Sequence, residues 1–196
     1  MWLRDTAFTL LVLLHAGYRE EAVAWRRWLL RAVAGAPDQV QTDTKLNSFV
    51  QAYGEKTLDA SCLRIALVGF LPATDPRIVG TVEAIERRLM RNGLVLRYYT
   101  RQTDDGLPGG EGQFLACSFW MVANLWLIGR KGDARAMFER LLALRNDVEL
   151  LSEEYDSDAK RMVGNFLQAL SHIALVHAAF AISGAWVPHR SEGVHG

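Results

Sequence analysis

Two adjacent carboxylates and a phenol stand together in Leu151-Ser152-Glu153-Glu154-Tyr155-Asp156, and Gly164-Asn165-Phe166 follows shortly after. The stretch reads as a loop directly before a long, almost wholly apolar helix. Carboxylates placed that way suit acid–base work on sugars, and they serve equally well as ordinary residues at a helix start. Two glutamates are more than a cap requires. Other charged groups hold matching places. Arg4 and Asp5 immediately precede an apolar segment, Asp59 precedes a second, and Glu111 a third. For Asp59 simple N-capping is the sufficient account.

The elements that would position these groups are helical in period nearly throughout, with no strand alternation evident. Residues 6–16, 60–70, 113–128 and 165–182 are apolar on almost every face, which marks helices buried all round. Residues 20–34, 76–91 and 133–145 are amphipathic. In 20–34 Ala22, Trp25, Trp28 and Leu29 form the apolar stripe, and in 133–145 Met137, Phe138, Leu141 and Leu142 form it. A faint repeat joins the two kinds: both Leu14 to Ala22 and Leu127 to Ala134 read as buried helix, glycine cap, polar turn, exposed helix. That alternation predicts an all-α, two-layer toroid with the buried helices inside. In a toroid of helical hairpins the inner helices run parallel, so their N-termini share one mouth. There carboxylates are stabilised by unpaired N–H groups and the macrodipole. A flat helical repeat array explains the pairing as well. Residues 35–58 lack helical periodicity, an uncommonly long connection for a compact domain. About seven helices, three inner–outer pairs and one unpaired inner helix, leave the ring open.

The 196 residues allow one domain, expected over 1–186, with a flexible tail at 187–196. Twenty-two basic side chains balance 22 acidic ones, so no electrostatic footprint for nucleic acid or an anionic membrane exists. Cys62 and Cys117 lie in apolar stretches with no metal-ligand spacing and are expected to be buried thiols in a reducing compartment. The apolar run near the N-terminus carries Asp5 and no small-residue cleavage motif, and at about 12 residues it is too short to span a bilayer. A cytoplasmic protein is expected, with no metal and no cofactor. His15, His172 and His177 on apolar helices read as core or rim residues, and Gly109-Gly110-Glu111-Gly112 lacks the strand and lysine of a phosphate cradle.

Four segments, in order along nearly the whole chain, resemble glycoside hydrolase family 15, the glucoamylase, glucodextranase and bacterial trehalase group. They are Trp2-Leu3-Arg4-Asp5-Thr6-Ala7-Phe8; Phe49-Val50-Gln51-Ala52-Tyr53-Gly54 with Leu58-Asp59-Ala60-Ser61; Gly93-Leu94-Val95-Leu96-Arg97-Tyr98 leading to Asp105 through Phe114; and the Glu153 motif with Gly164-Asn165-Phe166. The resemblance implies an (α/α)6 barrel and inverting hydrolysis of an α-glucan, an α-oligosaccharide or trehalose. It implies that Glu153 is the general base that activates water. Arg4 and Asp5 would grip the terminal glucose beside Trp2, and Arg97 would hydrogen-bond the sugar near the scissile bond. Glu111 and Glu154 are assigned to substrate binding. Trp2 and Tyr98 offer aromatic faces for stacking. Leu167 and Leu170 stand where relatives tend to have proline and an aromatic.

The large departure is an absence. The family's general acid lies in a Trp-Glu motif followed closely by Arg and Gly, and this sequence has none. Twelve helices with their connections need roughly 200–260 residues, more than this chain offers. The sequence therefore reads as a member lacking the middle of its catalytic domain, starting near the family's first helix, with a junction inside 35–58. Little or no hydrolytic activity is expected of it, unless Glu111 or Glu154 serves as the acid. The alternatives are a non-catalytic helical module that binds carbohydrate or protein, two chains closing one ring as a homodimer, and a repeat scaffold unrelated to glycosidases.

Overall fold

The computed structural model describes residues 18, 20, 21, 23, 24, 42, 43, 47–50, 57–99 and 112–185. The expected first inner helix at 6–16, most of the helix at 20–34, and the tail lie outside them. Glu20, Glu21, Val23 and Ala24 are helical. The described part is mainly helical, with helices α1 (Arg64–Leu67), α2 (Pro76–Leu89), α3 (Leu115–Leu127), α4 (Lys131–Leu142) and α5 (Ala169–Ser183).

Helix α3 is the axis of the core. Every residue from Leu115 to Leu125 is buried, as its sequence without charge, glycine or proline requires. It ends in a Schellman turn: Gly129, at φ +90°, donates to the Trp126 carbonyl and Arg130 donates to that of Leu125. The chain then reverses into α4, which returns Ala134, Met137 and Leu141 to the core. The glycine cap read from the sequence sits at this reversal. On its other side α3 meets α5, whose buried residues Ser171, Ala174, Ala178 and Ala181 are all small and let the helix axes approach. Phe119 of α3 packs edge-on to Phe138 of α4 with ring centroids 6.1 Å apart. Helix α2 starts on an Asp75 cap with Pro76 in its first turn. It is tied to the α3–α4 reversal by a two-pronged Arg130–Glu86 pair at 2.6 and 2.9 Å.

Among the described residues seven short strands depart from the expectation that no strands occur. β1 (Thr42–Asp43) pairs antiparallel with β2 (Ser48–Phe49), inside the stretch read as irregular. Gly80 of α2 admits β2 so closely that a Cβ there would lie 2.1 Å from the Asn47 carbonyl oxygen. β3 (Met90–Arg91) and β4 (Leu94–Val95) form a hairpin through Asn92 and Gly93, both at positive φ. β5 (Gln113–Phe114), β6 (Glu154–Asp156) and β7 (Arg161–Val163) make a three-stranded antiparallel sheet.

Helix boundaries differ from expectation too, most at 60–70 and at 165–182. The segment 60–70 is a 3-10 turn, Ala60–Leu63, followed by one turn of α1. It stops at Gly69 (φ +67°), where Phe70 and Gly69 donate to the carbonyls of Ile65 and Ala66. The helix expected from 165 begins at Ala169, because the backbone of residues 151–153 pairs with that of Asn165 and Gln168 first.

Candidate active site

Glu153 is fixed by its backbone between two helix starts. Its N–H donates to the Asn165 carbonyl at 2.9 Å, in the approach to α5, and its carbonyl accepts from Leu115 N–H, the first residue of α3, at 3.0 Å. Orphan N–H groups at a helix start need such partners, and the positive end of the α3 dipole favours a carboxylate beside it. The side chain is held too. Its Oε2 accepts from Asn165 Nδ2 at 2.8 Å and from Asn165 N–H at 3.2 Å. Oε1 has no hydrogen-bond partner among the described residues.

Glu154 is the next residue and points differently, as alternation along a strand demands. Its Oε2 accepts from Gly112 N–H at 2.8 Å. Gly112 has no room for a side chain, since a Cβ would come within 2.9 Å of the Tyr155 carbonyl oxygen and Val163 Cγ2. Ser152 Oγ donates to the Glu154 carbonyl at 2.5 Å, and Ser171 Oγ of α5 donates to the Ser152 carbonyl at 2.8 Å. This buried serine pair seats the Glu153–Glu154 strand on α5.

Arg97 comes to the same end of α3. Its guanidinium lies 5.1 Å over the Tyr98 ring and 5.8 Å over that of Phe114, the residue that precedes α3. Its carbonyl accepts from Ala60 N–H at 2.8 Å. The start of the 3-10 turn at Ala60, the start of α3 and the approach to α5 are therefore linked through Arg97, Phe114 and Glu153. Asp59 caps the 3-10 turn by accepting from Ser61 N–H at 2.7 Å and is buried. Burial first, and the Asp59 charge second, push the neighbouring Cys62 thiol up to about 12. Both cysteines are buried and outside any disulfide.

Tyr98 corrects an expectation. It is 6% exposed, with the Arg97 guanidinium over its ring, so it offers a sugar no open face. Trp2, Arg4, Asp5 and Glu111 lie outside the described residues. Asn165 received no role from the sequence, although its motif stood out. The usable signal was the glycine before it: Gly164 takes φ +73°, and a Cβ there would lie 3.1 Å from Glu153 Cβ. The Phe166–Leu167 peptide just beyond is cis. Among the described residues no group of His, Cys, Asp and Glu could hold a metal ion, and no helix is long and apolar enough to cross a membrane.

Such a site can orient one carboxylate oxygen and leave the other to accept a proton, with a guanidinium able to donate hydrogen bonds at the same end of α3. The fold around it is that of known glycosidases. The structure of a glycosidase variant in complex with glucose superposes with a TM-score of 0.59 at 20% identity, covering 86% of this chain and 44% of that one. The wild-type glycosidase gives 0.53, covering 87% and 44%. The model of the glycosyl hydrolases family 15 matches residues 1–48 and 38–180, and the chain belongs to that family. Among its relatives, a trehalase of Mycobacterium tuberculosis is 45% identical over 146 residues, 74% of this chain and 22% of that protein. A trehalase of Thermoplasma acidophilum is 43% identical over 150 residues, 76% of this chain and 26% of that protein. The chain thus spans about a quarter of the length of these curated relatives.

Proposed function

We propose that this chain carries the base half of an inverting, trehalase-like α-glucoside hydrolase site. Glu153 is the general base: water attacks the anomeric carbon, its proton passes to Oε1, and the glycosidic C–O bond breaks on the opposite face. Arg97, with Trp2, Arg4 and Asp5, binds the sugar, and Glu111 and Glu154 border that site. The observation that carries this reading is the Glu153 carboxylate, anchored at Oε2 with no partner on Oε1 among the described residues, at the same end of α3 as Arg97, in a chain of this family. The architecture is a partial (α/α)6 toroid of about seven helices. Its junction falls within 35–58, which is supported by a family match in two pieces that share residues 38–48. The protein is cytoplasmic and takes an uncharged α-glucoside such as trehalose.

A leaving sugar oxygen needs a proton, and the Trp-Glu motif that supplies it in the family is absent. α-Glucosyl fluoride needs no such donor, since fluoride departs as a solvated anion. Proton NMR of the fluoride reaction should show β-glucose forming first, and Glu153→Gln should abolish it. α-Glucose as the first product, or an undiminished rate in Glu153→Gln, would remove the reading. A second reading, a non-catalytic helical module closing its ring with a second copy, is favoured by one observation. Ile173, Val176 and Phe180 of α5 are 43, 45 and 48% exposed on one face.

A further inference from the structure

We propose that Asn165 is the positioning residue for Glu153, clamping Oε2 so that Oε1 alone is presented to the reacting water. The proposal rests on the reading of Glu153 as general base and adds the device that orients it. A glutamate side chain has three torsions to fix, and a partly exposed one samples several rotamers unless something holds it. Here one residue supplies both donors. Asn165 Nδ2 lies 2.8 Å and Asn165 N–H 3.2 Å from the same oxygen. The Glu153 N–H returns a bond to the Asn165 carbonyl at 2.9 Å, so the two residues grip each other through backbone and side chain together.

The path that permits this is specific. Gly164, at φ +73°, brings the backbone so near that a Cβ would stand 3.1 Å from Glu153 Cβ and 3.2 Å from Oε2. Any side chain at 164 would push against the carboxylate that residue 165 must reach. Asn165 is itself exposed, and its neighbours Phe166 and Leu167 are 56 and 55% exposed, so the asparagine is not there to fill the core. Among the described residues its side-chain amide hydrogen-bonds Glu153 Oε2 alone. Aspartate at 165 would set a second carboxylate against the first. Alanine would keep the backbone bonds, the longer 3.2 Å N–H contact to Oε2 among them, and remove the shorter Nδ2 bond, loosening the carboxylate.

The test pairs NMR of the full chain with kinetics. In the wild type a scalar coupling across the hydrogen bond should connect Asn165 Nδ2 to the Glu153 carboxyl carbon, and the Glu153 methylenes should report one rotamer. In Asn165→Ala the methylenes should average while the α3 and α4 amide signals stay in place. With α-glucosyl fluoride, Asn165→Ala should lose about 10–100-fold in kcat with KM changed little, and Asn165→Gln should recover part of the loss. A wild-type chain without the coupling, or a Glu153 side chain still held in one rotamer in Asn165→Ala, would overturn the proposal. The wild-type coupling decides the matter even where the alanine variant does not fold. Absence of fluoride hydrolysis by the wild type would sink the general-base reading instead, with the clamp judged on the couplings alone.

Discussion

At the residue scale the Glu153 carboxylate is held at Oε2 by Asn165, and on the proposed reading that hold depends on the backbone of Gly164 as much as on Asn165. Gly164→Ala should therefore lower stability by about 1–3 kcal/mol in urea unfolding, from left-handed backbone strain, and should displace Glu153 as well. A loss of stability without any change in the Glu153 signals would show that the close approach has no bearing on the carboxylate. The charged candidates stood out in the sequence by type, and their proposed roles came from the family resemblance. Asn165 was not legible in that way, since its partner is set by the path of the chain across a tight antiparallel turn rather than by spacing along a helix. Tyr98 was misread for a related reason: no pattern told which face of so short an extended stretch would be covered. Glu154 differs from Glu153 through strand alternation, which places its carboxylate on the Gly112 N–H and not on Asn165.

At the scale of elements the site depends on three helix starts held in contact, and their packing makes distinct predictions. The α3–α5 seam is lined by Ala174, Ala178 and Ser171, all buried, so Ala178→Leu should cost about 1–3 kcal/mol by overpacking. Val176→Ala, on the same helix but 45% exposed, should change stability by no more than about 0.5 kcal/mol. Equal effects of the two in thermal unfolding would contradict the seam. The α2 cap predicts a pH dependence. The Arg77 side chain holds the Asp75 carboxyl below its ordinary value of 3.8, more strongly than partial burial raises it. A folded-state value below the unfolded one stabilises at neutral pH, and that contribution is lost as pH falls below about 3.8 through the folded value. Asp75→Asn should flatten this acid limb of the stability curve. The long helices were legible from their burial pattern, α3 above all. The strands were not, because two or three residues cannot display a period of two. The β3–β4 hairpin was missed with them, although Asn92-Gly93 carries the residue types that suit its tight turn. The segment 60–70 looked like a full helix because its composition is apolar, while Gly69 and Pro72 cut it short.

At the scale of the whole molecule the chain belongs to family 15 while spanning about a quarter of its trehalase relatives' length. The outward face of α5 follows from the sequence of that helix, which is apolar on nearly every side, while only its small residues are fully buried and Ile173, Val176 and Phe180 stay exposed. If two copies close one ring over this face, light scattering should report a dimer, and Phe180→Glu should return it to a monomer. A monomeric wild type would dismiss the closed pair. On the proposed reading Glu153 supplies the base, while the sequence carries no Trp-Glu acid motif. General-acid catalysis contributes about 10²–10⁴-fold, so kcat/KM for α-glucosyl fluoride should exceed that for trehalose by about this factor, measured on the wild-type chain with Glu153→Gln as the blank. Comparable rates on both substrates, both lost in Glu153→Gln, would mean that an acid is present and that the account of this site is wrong.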